Sequence, residues 1–241
     1  MTGSEQSETI DFGRLVSHVA ALIKSHGAML AFIVLLFVGV PEFLKALWRF
    51  TTGEYVPLLG LAPAFVLNFL GLSAVVTASL QHSQGEDVRL GGVLSEAWHA
   101  LPQTIAISFI QTLGVMLGLM MLVVPGLYLI ATWAMALPYA LSTNRGVIRS
   151  LRECVELADG VRWPILGFVV AVQVICVAIG AAFWFASKLS TSSELIQVFV
   201  MSPIGLAVFV LINGLSSASL FHVVAWDHDP LPDSIVNEIF D

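Results

Sequence analysis

QTIAISFIQTLGVMLGLMMLVVPGLYLIATWAMALPYALST, residues 103–143, contains no charged side chain. A helix crossing hydrocarbon about 30 Å thick needs about 20 such residues, each adding ~1.5 Å. One helix made of the whole stretch would be about twice too long. Val124-Pro125-Gly126 punctuates it near the middle, and Pro-Gly is a turn signal. The stretch therefore reads as two spans, 103–124 and 126–143, meeting in an uncharged hairpin.

Working outward, four more stretches are long and apolar enough to cross: 28–48, 57–80, 163–186 and 196–225. Composition agrees, with 57% of the 241 residues hydrophobic and 11% charged and a mean hydropathy of +0.90. Soluble domains carry about 25% charged residues, so a chain this poor in charge could not cover itself in water. The expected fold is an all-α polytopic membrane protein: a polar tail over 1–9, a six-helix domain over 10–225 and an acidic tail over 226–241. The amino terminus has no basic region and cleavage site ahead of its apolar core, so it reads as a retained first span.

Lys and Arg set the orientation. With the amino terminus inside, Arg14, Lys24, Arg89, Arg145, Arg149, Arg152 and Arg162 face the cytoplasm, against Lys45, Arg49 and Lys188 outside. The expectation is a bacterial plasma-membrane protein with both termini cytoplasmic. Trp48, Trp98, Trp163, Trp184 and Trp226 fall near span ends, as an aromatic belt requires; Trp133 reads as packing.

The segments on the inner side repeat a pattern. Phe12, Leu15, Val16, Val19, Leu22 and Ile23 recur at helical spacing, as do Leu90, Val93, Leu94, Ala97, Trp98 and Leu101, and then Val147, Ile148, Leu151, Cys154, Val155 and Ala158. Each reads as an amphipathic helix with one apolar stripe, lying in the membrane plane on the cytoplasmic face. Each precedes a pair of spans, so the chain reads as three copies of one unit.

The stretch from Pro125 to Phe168 carries a resemblance. It runs Pro-Gly-Leu-Tyr-Leu at 125–129, Ala136-Leu137-Pro138, Gly146-Val147-Ile148-Arg149-Ser150-Leu151, Leu157-Ala158-Asp159-Gly160, then Trp163 to Gly167. It resembles the membrane domain of glycerophosphoryl diester phosphodiesterases and related uncharacterised bacterial six-span proteins. Such proteins typically have Ser-Trp where this chain has Cys154-Val155. The resemblance implies membrane architecture and not hydrolysis, which in those enzymes belongs to a separate soluble domain.

Few constellations could carry chemistry. Glu42 and Lys45 lie three apart after Pro41 and can pair on one helix face. Deep in the bilayer such charges imply function, since each costs about 2.5–3.5 kcal/mol on insertion scales; at the headgroups they are ordinary, and that reading is favoured. Asn68, Gln111, Gln173 and Asn213 are polar groups on four different spans. They either line a polar path or serve as interhelical links, and the small residues beside them (Gly71, Ser73, Ala74; Ser216, Ser217, Ala218) favour links. Arg149–Glu153 and Arg152–Glu156 are i,i+4 pairs, and Arg145, Arg149, Arg152 and Arg162 are candidate contacts for anionic lipid headgroups.

His222, Asp227, His228 and Asp229 lack zinc-site spacing, and His18, His26, His82 and His99 read as interfacial polar residues. Cys154 and Cys176 read as reduced. No nucleophile motif, phosphate loop or paired carboxylate appears, and the net charge of -7 collects at the tails. The expectation is no enzyme, no cofactor, no metal and no nucleic acid. Partners are membrane lipids and other membrane proteins. The leading function is a non-enzymatic component of envelope organisation; the alternative is a transporter or lipid-handling protein with a polar path through its bundle.

Overall fold

The computed structural model describes residues 12–53, 58–143, 146–189 and 202–227. Arg145, the amino-terminal tail, residues 228–241 of the carboxyl-terminal tail and the first residues of the sixth expected span lie outside that set. Among the described residues the chain is almost entirely helical, without strands, and six helices are long and apolar enough to cross a membrane.

The first is built from α1 (Phe12–Val34), a π turn (Leu35–Gly39) and α2 (Val40–Thr52), which follow one another without a break. Val40 N–H donates to Leu35 C=O, five residues back. The wider turn comes just ahead of Pro41, which has no N–H to offer the preceding turn. Gly53, at φ 72°, ends α2 and donates to Arg49 C=O. Left-handed backbone there favours glycine.

α3 (Leu58–Ser83) follows, and Ala74, Val75, Val76 and Ala78 on it are wholly buried. The packing is close where side chains are small. A Cβ on Gly71 would come 3.0 Å from Val38 and 3.2 Å from Phe37, across the π turn.

α4 (Leu90–Met121) and α5 (Val123–Trp133) form the expected hairpin, hinged at Leu122 with extended backbone. Their backbones nearly touch: a Cβ on Gly118 would lie 3.0 Å from the backbone of Gly126. α6 (Ala136–Thr143) continues the line after a short break. Pro138 explains that break, because it cannot donate to the carbonyl four residues earlier. α7 (Val147–Leu157) then packs against α4, α5 and α6, and α8 (Arg162–Leu189) against α5 and α9 (Ser202–Asp227). α9 closes the bundle on α1 and α3; a Cβ on Gly214 would fall 2.8 Å from Val75.

The three amphipathic segments meet different fates. Only the third is a helix of its own, α7. The first is the start of α1 and the second the start of α4, each running on into its span. Pro102, at the expected boundary, sits inside α4 without ending it. Two of the expected in-plane helices are thus not separate elements, and the three-unit repeat does not appear in that form. The stripes do bury one seam each: Leu15 and Leu22; Val93, Ala97 and Leu101; Leu151 and Cys154. Val16, Ile23, Trp98 and Ile148 stay exposed.

Candidate functional site

Three of the four membrane-depth polar residues come together. Gln111 on α4, Gln173 on α8 and Asn213 on α9 line one cavity of about 280 Å³. Ser108, Ser216 and Ser217 add hydroxyls, and Val115, Ile130, Ala134, Phe168, Val169 and Val172 form apolar walls. Gln173 Nε2 donates to Asn213 Oδ1 at 2.7 Å, and Asn213 Nδ2 donates to Phe209 C=O at 2.9 Å. Gln111 Nε2 donates to Trp133 C=O at 2.8 Å, at the end of α5. So these amides link helices and line a cavity at once. The sequence had offered those two roles as alternatives.

Asn68 stands apart on α3, its Oδ1 buried without a hydrogen-bond partner. Glu42 and Lys45 form the expected pair, with side chains 17% and 25% exposed. Arg149 Nε donates to Glu153 Oε1 at 2.8 Å, and the buried Tyr139 hydroxyl donates to Glu153 Oε2 at 2.7 Å. No ion pair joins Arg152 to Glu156. Glu153 turns inward to Tyr139, whereas Arg152 and Glu156 both face outward.

Of the arginines expected at headgroups, Arg149 and Arg152 are exposed. Arg162 is engaged within the protein: it pairs with Asp159 at 3.1 Å and its Cζ lies 5.0 Å from the centre of the Tyr128 ring. Both cysteines are free. Burial, with the Glu153 carboxylate adding to it, pushes the Cys154 thiol up, away from its reactive thiolate form.

One cluster was missed. His18 and His26 on α1, His82 on α3 and His222 on α9 gather at one end of the bundle. His18 stacks on His222 at 4.7 Å between ring centres and lies 5.9 Å from His82, which is 5.3 Å from His26. His18 Nε2 is buried without a hydrogen-bond partner. Among the described residues no three His, Cys, Asp or Glu side chains are arranged to hold a metal ion. The residues are spread from position 18 to 222, so spacing alone could not reveal them.

The fold and its uncharged mid-bundle cavity define a helical membrane protein. No family model matches the chain, and no solved structure matches it. It is 27% identical over 158 residues to the UPF0259 membrane protein SG1383 of Sodalis glossinidius (strain morsitans), across 66% of this chain and 58% of that relative. The match thus spans less than two thirds of the relative's length. It supports an uncharacterised bacterial membrane-protein family; the resemblance to phosphodiesterase membrane domains finds no support in these comparisons.

Proposed function

We propose that this chain is a non-enzymatic membrane protein that takes a small membrane-dissolved molecule into its bundle, as a transporter or lipid-handling protein does. The observation that carries this reading is the convergence of Gln111, Gln173 and Asn213 on one cavity. Residues that served only as links between helix pairs would have been scattered. The excess of Lys and Arg in one set of connecting segments supports an orientation with both termini cytoplasmic in a bacterial plasma membrane.

Native mass spectrometry of the protein released from its own membranes tests the reading. The expected result is a bound small molecule, absent from a Ser216→Phe variant whose thermal stability is unchanged. A wild-type protein that carries no small molecule but a stoichiometric protein partner would refute it, in favour of a component of envelope organisation.

A further inference from the structure

Taking the cavity as a binding site, its lining and its neighbourhood narrow what it can hold and how a ligand reaches it. None of the described lining residues is ionisable; the polar groups are amides and serine hydroxyls. The hydroxyls of Ser108 and Ser216 have no partner among the described residues, although both line the cavity. A charged ligand would meet no counter-charge here, and an uncompensated charge out of water costs several kcal/mol. A purely apolar ligand would leave those hydroxyls and the outer lone pairs of the amides unmet. The ligand's inserted end is therefore neutral and hydrogen-bonding.

Size bears on the rest of the ligand. At about 30 Å³ per water, a space of about 280 Å³ holds a polar end group and not a whole two-chain lipid. Beside it a shallow cleft, wide open along the surface of α4, is lined by Gln111, Thr112, Val115, Met116, Leu119 and Met120. Gln111 and Val115 line both spaces. The cleft faces outward, with Met116 53% and Met120 72% exposed, on a helix apolar enough to lie in hydrocarbon. Methionines are flexible and adapt to varied chains.

We propose that this face of α4 is a lateral entrance from the bilayer for an uncharged, hydroxyl-bearing amphiphile. Its polar end enters past Gln111 and Val115 to meet Gln173, Asn213 and Ser216, and its hydrocarbon lies along the cleft.

The test uses the full chain in non-ionic detergent, titrated with 1,2-dioctanoylglycerol and read by native mass spectrometry. Dioctanoyl phosphatidic acid, with the same tails and an added charge, is the comparator. The expected result is one dioctanoylglycerol per chain, at least tenfold tighter than the phosphatidic acid. Ser216→Phe, which fills the cavity, and Met116→Trp, which obstructs the cleft, each weaken it at least tenfold without lowering the unfolding temperature. Equal binding of the charged analogue overturns the uncharged class. Loss in Ser216→Phe with no change in Met116→Trp overturns the lateral entrance and leaves the cavity reading intact. Binding indifferent to both variants overturns both readings, and so does the absence of any binding.

Discussion

Replacing Gly126 by alanine tests the close approach of α4 and α5. A Cβ there would sit 2.5 Å from Leu119 Cγ and Cδ2 and 2.7 Å from the Leu119 backbone nitrogen. Ordinary carbon contacts lie at about 3.5–4.0 Å, so α4 and α5 would have to separate by about 1 Å. The leucine side chain can turn aside but the backbone nitrogen cannot, and Gly118 opposite leaves no slack either, since a Cβ there would lie 3.0 Å from the Gly126 backbone. Overpacking of this kind costs about 1–3 kcal/mol, offset by up to ~1 kcal/mol because alanine is the better helix former. With the full offset a net loss of up to about 2 kcal/mol follows, or up to roughly 8 °C in unfolding temperature for a chain of this length. Gly180→Ala in α8 is the matched control, because a Cβ there meets nothing within 4 Å and only the propensity gain applies. Thermal unfolding in detergent, followed by circular dichroism, reads both. Unfolding of Gly126→Ala at or above the wild-type temperature, or an equal loss in Gly180→Ala, would refute the reasoning.

Other consequences can be measured in the same way. Gln173→Leu, Asn213→Leu and the double variant form a cycle whose coupling should be about 0.6 kcal/mol, the usual worth of such a bond in a membrane; zero coupling would contradict the 2.7 Å contact. Tyr139→Phe removes the hydroxyl's hydrogen bond to the Glu153 carboxylate and should cost about 1.5–3 kcal/mol, as for other hydrogen bonds to charged groups; a neutral outcome would mean that Glu153 does not face the buried hydroxyl. At the histidine end, protonating stacked rings 4.7 Å apart sets like charges side by side. Unfolding temperature should therefore fall as pH drops through the imidazole range, and less steeply in His18→Gln; parallel profiles would count against the cluster. The Cys154 thiol should resist maleimide in the folded protein and react once denatured, and rapid labelling of the folded protein would show that its burial is wrong.

The spans were legible because hydrocarbon demands long apolar helices whatever their neighbours. Pro125 and Gly126 likewise betray the hairpin, since turn chemistry is local. Where α1 and α4 begin was not legible. An amphipathic segment and the span after it share the same 3.6-residue period, so only a change of hydropathy separates them, and backbone hydrogen bonding ignores that change even at Pro102. The cavity was half legible. A polar side chain in an apolar run marks depth and not azimuth, so Gln111, Gln173 and Asn213 could be named but not assembled, and nothing set Asn68 apart from them. The histidine cluster was beyond reach because its members come from three helices far apart in sequence.

The π turn at Leu35–Gly39 acts as a spacer of one residue. In a plain α-helix each residue advances about 100° around the axis, so the extra one re-phases everything beyond it. Glu42 and Lys45 thereby keep their half-sheltered flank while Leu22, Leu30 and Ile33 keep theirs. Deleting a single residue from this turn would leave composition and length almost untouched, yet would swivel the ion pair by about 100° relative to the buried leucines. The continuous helix from Gly13 to Thr52 is, in that sense, two independently aimed surfaces on one rod.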